Sequence, residues 1–215
     1  MSAGSDRCMD IISKLEPALF YKHAYGLRFE IGPPEVGALK PDRSLNPPYF
    51  EEALRRAITL FESVFENETA VILVLQQFSS GRKKIPLTHP LLALASKAGM
   101  TPIQFSKRRD VEARILQKRK QHWNRATVTV RKADADWAKI LALMLYSDCG
   151  ADCEAGWEGD CYLLNPRRTV AFHLYDDRGL DVVAVGKDEL EPVYRRHRDW
   201  ILGYDEPVIS RMFGE

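Results

Sequence analysis

Residues 160–205 read DCYLLNPRRTVAFHLYDDRGLDVVAVGKDELEPVYRRHRDWILGYD, and this stretch decides the fold class. Cys161–Leu164, Thr169–Tyr175 and Leu180–Val185 are short runs of strand-forming residues. Asn165-Pro166-Arg167-Arg168 and Asp176-Asp177-Arg178-Gly179 separate them. A connection of this length with Asp and Gly suits an antiparallel hairpin, because Gly reaches positive φ without strain. The period then changes: Asp188–Trp200 predicts a helix, with Asp188 as its N-cap and Leu190, Val193, Tyr194 and Trp200 as its inner side.

Upstream, Leu27–Ile31 (LRFEI), Thr69–Phe78 (TAVILVLQQF) and Ala126–Arg131 (ATVTVR) read as further strands, the second covered on both faces. Tyr49–Glu66 is the clearest helix, with Phe50, Leu54, Ala57, Ile58, Phe61, Val64 and Phe65 in one stripe. Pro47 and Pro48 precede it, and Glu51/Arg55 and Glu52/Arg56 are candidate i,i+4 pairs. Asp134–Tyr146 predicts another helix, and Asp10–Phe20 a short one limited by Pro17. Residues 32–48 hold five prolines and two glycines and predict an irregular loop. Runs of consecutive strands with only some helical connections predict an α+β domain, an antiparallel sheet packed against helices.

The 215 residues carry a net charge of +1, but the charge is unevenly placed. Residues 82–132 hold 14 Lys+Arg against 2 Asp+Glu, while residues 133–215 hold 9 against 17. Residues 79–125 therefore read as a basic insertion in one domain, helical over Leu87–Ala98 and Phe105–Trp123. The N-terminus lacks an apolar run of signal-peptide length and no stretch is long enough to span a bilayer, so a cytoplasmic protein with reduced cysteines is expected.

Three chemistries can be set against plainer accounts. Asp176, Asp177 and Asp181 near His173 could hold a cation or act as acid and base, yet turn propensity alone explains Asp-Asp-Arg-Gly. Cys149, Cys153 and Cys161 with His173 could bind zinc, but the x3 and x7 spacings lack a CxxC knuckle. Lys107, Arg108, Arg109, Arg114, Lys118 and Arg119, with Trp123 nearby, could form a basic helix face for nucleic acid, or a solvated face. There is no Gly-x-Ser-x-Gly, phosphate-binding loop or His-Glu-x-x-His, and no cofactor is expected.

Tyr162-Leu163-Leu164-Asn165-Pro166, Phe172–Gly179, Asp181-Val182-Val183-Ala184, Asp199-Trp200-Ile201-Leu202 and Tyr204-Asp205 together resemble the C-terminal core of a bacterial family, domain of unknown function 3885. Leu27-Arg28-Phe29-Glu30 and the Arg56-Ala57 helix with Leu60-Phe61 resemble its N-terminal part. The quoted motifs skip the basic middle. The resemblance implies no catalytic residues. Proteins of this kind look like small cytosolic partners of bacterial toxins, which implies a non-catalytic immunity or antitoxin-like protein. On that expectation Asp176, Asp177, Arg178, Asp181, Asp199 and Asp205 are the contact residues for a basic toxin such as a nuclease. A nucleic-acid-binding regulator and a metal-dependent hydrolase are the alternatives.

Overall fold

Alternation along the chain is realised as a seven-stranded antiparallel sheet. The computed structural model describes residues 15–79, 85–109, 122–147, 157 and 159–214. The strands are β1 Tyr25–Glu30, β2 Ala70–Ser79, β3 Gln104–Arg109, β4 His122–Arg131, β5 Asp160–Asn165, β6 Val170–Leu174 and β7 Gly179–Ala184, in the order β1-β7-β6-β5-β2-β4-β3. Five α-helices accompany them among the described residues: α1 Pro47–Val64, α2 Pro90–Lys97, α3 Trp137–Leu145, α4 Glu191–His197 and α5 Glu206–Phe213. The arrangement is α+β, as the hairpins predict. None of the described helices is long and apolar enough to cross a membrane.

In every strand but β3, alternate side chains enter the main core. Leu27, Phe29, Leu73, Leu75, Leu163, Phe172 and Val182 meet Phe61 of α1, Phe65 at its C-cap, and Trp137, Ile140 and Leu141 of α3. The other parity forms a smaller cluster, in which Val74, Tyr162, Leu164, Ala171 and Val183 pack under Leu15 and Leu19. Helices thus cover one face, and a strap around Leu15–Lys22 lies on the other. Of the helix expected over Asp10–Phe20, residues 10–14 lie outside the described residues and the rest contributes only a 3-10 turn, Leu19–Lys22.

Two expected helices need correction. Residues 105–109 and 122–123 are strand, not helix, because β3 and β4 pair in register from Gln104↔Thr127 to Arg109↔His122. The backbone hydrogen bonds of an added strand prevail over helical propensity here. Helical structure in the basic block is confined, among the described residues, to α2. The helix expected over Asp188–Trp200 is broken into a 3-10 turn, α4 and a second 3-10 turn. Asp188 falls in the first turn, Leu190 takes the N-cap without a side-chain hydrogen bond, and Pro192 follows.

On α1 the expected Glu52/Arg56 pair forms, whereas Arg55 pairs with Glu52 at i,i+3 in place of Glu51. Glu52 accepts from Arg55 at 2.6 Å and from Arg56 at 2.8 Å. The hydrogen bond from Arg55, followed by that from Arg56, holds the Glu52 carboxyl down at about 2. A depressed folded value stabilises the fold above the unfolded carboxylate range of about 4.3, and that contribution is lost as pH falls toward the folded value. Glu52→Gln should therefore lower stability at neutral pH by about 0.5–1 kcal/mol, with the deficit vanishing as the medium approaches the folded value. Urea midpoints of both proteins across the acid range check this; a deficit independent of pH would contradict it.

Candidate functional site

Hairpin chemistry places the first expected contact residues. Asp176 Oδ1 accepts the N–H groups of Arg178 and Gly179, both at 2.9 Å, and Oδ2 accepts from the Arg178 guanidinium at 2.6 Å. Asp176 is thus the buried hinge of the β6–β7 turn, while the Arg178 side chain stays 78% exposed. Asp177 is half-buried, its carbonyl accepts from Tyr49 Oη at 3.3 Å, and burial with the charge of Asp176 raises its carboxyl pKa.

Asp181 and Asp205 correct the expectation of an outward acidic face. Asp181 is fully buried, accepting from the Phe20 N–H at 3.0 Å and from Arg28 Nε at 3.0 Å. Asp205 is buried beside Tyr21 Oη at 3.3 Å and Arg28 Nη1 at 3.9 Å. One guanidinium joins both acids, and the rings of Tyr21, Tyr175 and Phe20 surround it at 4.7, 5.3 and 5.8 Å. Burial still pushes the Asp181 carboxyl above its ordinary value. Of the six residues, Arg178 and Asp199 are exposed. They therefore do not form one contact surface.

Arg28 and Asp181 begin a polar row that crosses the strapped face of the sheet. Arg28 faces Asp181, Asp181 faces His173, Tyr162 lies against His173 with ring centroids 4.3 Å apart, and Gln76 faces both Asp160 and Arg125. Arg125 donates to Gln76 Oε1 and to the Leu15 carbonyl, which ties the strap down. His173 Nε2 sits 3.4 Å from Asp160 Oδ1, close enough for electrostatic contact but without hydrogen-bond geometry. A histidine beside a carboxylate is the pairing a general base needs. Here both ring nitrogens are sealed from solvent, as are Tyr162 Oη and Gln76 Nε2, and none of these atoms has a hydrogen-bond partner among the described residues.

The middle of the row is therefore an interior feature of the sheet, closed off from solvent. A buried hydroxyl without a partner costs free energy, and burial also raises the Tyr162 pKa. Tyr162→Phe is expected to raise stability by about 1 kcal/mol, where a hydrogen-bonded tyrosine would lose a similar amount. Urea unfolding checks the sign; a loss would mean the hydroxyl has a partner. Sequence reasoning had singled out His173 but missed Arg28, Gln76 and Arg125 as interior groups. The available signal was parity, since each sits one residue from a buried apolar neighbour in a strand.

The zinc set is likewise divided. Cys161 is buried in the main core, where burial raises its thiol pKa, and its parity in β5 is opposite to that of Tyr162, which lies against His173 on the strapped face. Cys149 and Cys153 lie outside the described residues. Among the described residues, no three His, Cys, Asp or Glu side chains converge as a metal site requires.

Among the described residues, the end of the sheet at β3 is left open. The opposite edge is closed: Ile201 bridges Phe29, and Leu202 N–H donates to the Arg28 carbonyl at 2.9 Å. Among the described residues β3 pairs only with β4. Gln104, Phe105, Ser106 and Lys107 are all exposed, Phe105 by 52%. Ile85, Leu87, Phe105, Ser106, Lys107, Asn124 and Arg125 line a groove of about 540 Å³ beside the strand. Phe78 and Trp123 meet edge to face at 5.2 Å. Of the nucleic-acid candidates, Lys107, Arg108 and Arg109 belong to β3, whereas Arg114, Lys118 and Arg119 lie outside the described residues.

The profile of a family described as "Domain of unknown function (DUF3885)" matches residues 6–205, running through the basic middle that the quoted motifs skip. The chain is similar to "Uncharacterized protein YnaE" of Bacillus subtilis (strain 168), 20% identical over 207 residues that cover 89% of this chain and 92% of that protein. No solved structure matches.

Proposed function

Because the chain belongs to the DUF3885 family, whose description assigns no activity, we propose its function from geometry: a non-catalytic cytoplasmic binding protein of the immunity or antitoxin kind, which neutralises a partner by occupying its surface. The exposed β3 end carries this reading. Leu87 and Phe105 are 63% and 52% exposed beside an apolar groove, and large apolar side chains clustered in the open mark interaction surfaces. The buried acids count the other way for the acidic turn, since Asp176, Asp181 and Asp205 already serve internal partners. The contact surface therefore moves to the basic edge.

Co-expression with the product of each adjacent gene tests the reading. The expected result is a defined complex on size exclusion and relief of growth arrest caused by one of those products. Absence of both with every neighbour would overturn it. A second reading, a nucleic-acid-binding regulator, draws on the aromatic pair Phe78 and Trp123 at the end of β2 and β4 next to the basic strand β3, since aromatic and basic groups together hold single strands. It predicts binding to oligonucleotides that falls steeply with salt. The hydrolase reading finds no converging ligand set among the described residues.

A further inference from the structure

We infer that the open edge of β3 receives an acidic, extended segment of a partner protein as an added strand; this rests on the binding-protein reading above. Three independent features meet at one place. First, the edge is asymmetric within the sheet: β1 is closed by Ile201 and Leu202, whereas β3 has no second neighbour among the described residues. An edge strand presents backbone N–H and C=O groups that an incoming strand can pair. Six residues of β3 offer about 20 Å of such pairing.

Second, the side chains beside that edge supply a pocket for the incoming strand. Successive residues of an extended segment point to opposite faces, so every second one would lie over the groove of Ile85, Leu87 and Phe105. The groove suits an apolar residue there. Third, the strand itself carries Lys107, Arg108 and Arg109 in sequence, with Asp110 as the next acid. Like charge opposes pairing with a second copy of this chain, and the same charge selects an acidic strand and speeds its approach. Open backbone, apolar groove and positive charge are together the features of strand addition; a phosphate backbone would use the charge but neither of the other two.

A labelled peptide of alternating Glu and Val tests the inference by fluorescence anisotropy. Its controls are the matching Lys-Val peptide, the Glu-Val peptide N-methylated on alternate residues, and an oligothymidylate. The expected result is binding of the Glu-Val peptide alone, weakened about tenfold or more by N-methylation and by Phe105→Glu or Lys107→Glu. Both side chains are exposed, so the variants should keep the parent's thermal midpoint. Equal binding of the Lys-Val peptide, no binding of the Glu-Val peptide up to about 1 mM, or binding of oligothymidylate in its place would overturn the inference. Should Lys107→Glu and Phe105→Glu leave a co-expressed complex intact, the binding reading stands and the edge assignment falls.

Discussion

Asp181→Ala is expected to destabilise the protein by about 3–5 kcal/mol, because it strands a buried guanidinium without its counter-ion. The Arg28 side chain is 12% exposed and Asp181 is not exposed at all, so water cannot take over the lost pairing. The same change leaves the Phe20 N–H without its acceptor and loosens the strap from the sheet. Asp205, 3.9 Å from Arg28, is too distant to compensate fully. Removing both charges is a different matter: Arg28→Met with Asp181→Leu should come within about 1–2 kcal/mol of the parent, since an apolar pair avoids the desolvation cost. Urea unfolding of the parent, the single variant and the double variant decides it. A single variant as stable as the double would show that the pair contributes nothing beyond its volume.

Phe61→Ala should cost a similar 3–5 kcal/mol by a different mechanism, the cavity left where a ring is removed. Phe61 is fully buried and touches three other rings: Trp137 at 4.6 Å, Phe65 at 4.7 Å and Phe172 at 6.1 Å between centroids. Those rings come from α3, the end of α1 and β6, so the cavity opens where the helical layer meets the sheet. For a chain of this size the loss corresponds to a fall in thermal midpoint of about 6–20 °C. Phe61→Leu, which refills much of the space, should lose roughly a third as much. Calorimetry of the two variants gives the comparison; equal losses would argue that packing at this junction is not what the ring supplies. Neither change touches β3, so binding of the Glu-Val peptide at low temperature should be unaffected.

The hairpins of β5, β6 and β7 were legible because alternation and turn chemistry agree along one short stretch. Strand β3 was not, for a physical reason: its residues 104–107 are all exposed, and a strand segment exposed on both sides leaves no period of two to read. Its run of cations resembled an exposed helix instead. Asp181 and Asp205 were legible as acids but not as interior groups, because the partner that draws them inward, Arg28, is 153 residues from Asp181. Helix α5 leaves little periodic signal, being only eight residues long and opening on Glu206-Pro207. The candidate binding edge therefore depends on pairing that only the folded chain displays, while the basic residues that mark it were already visible as a cluster of charge.

Strand order also has a consequence for synthesis. β1 sits at the sheet edge beside β7, so it has no strand partner until Asp181 and its neighbours have been translated. Across the 153 residues between Arg28 and Asp181, a ribosome adding about 5–20 residues per second leaves β1 waiting on the order of 10–30 s. The β2–β4–β3 unit, complete once Arg131 is made, can close before that. The nascent chain thus acquires its open basic edge first and its sealed edge last, and a chaperone that shields Leu27 and Phe29 during the interval would be expected to raise the yield of native protein.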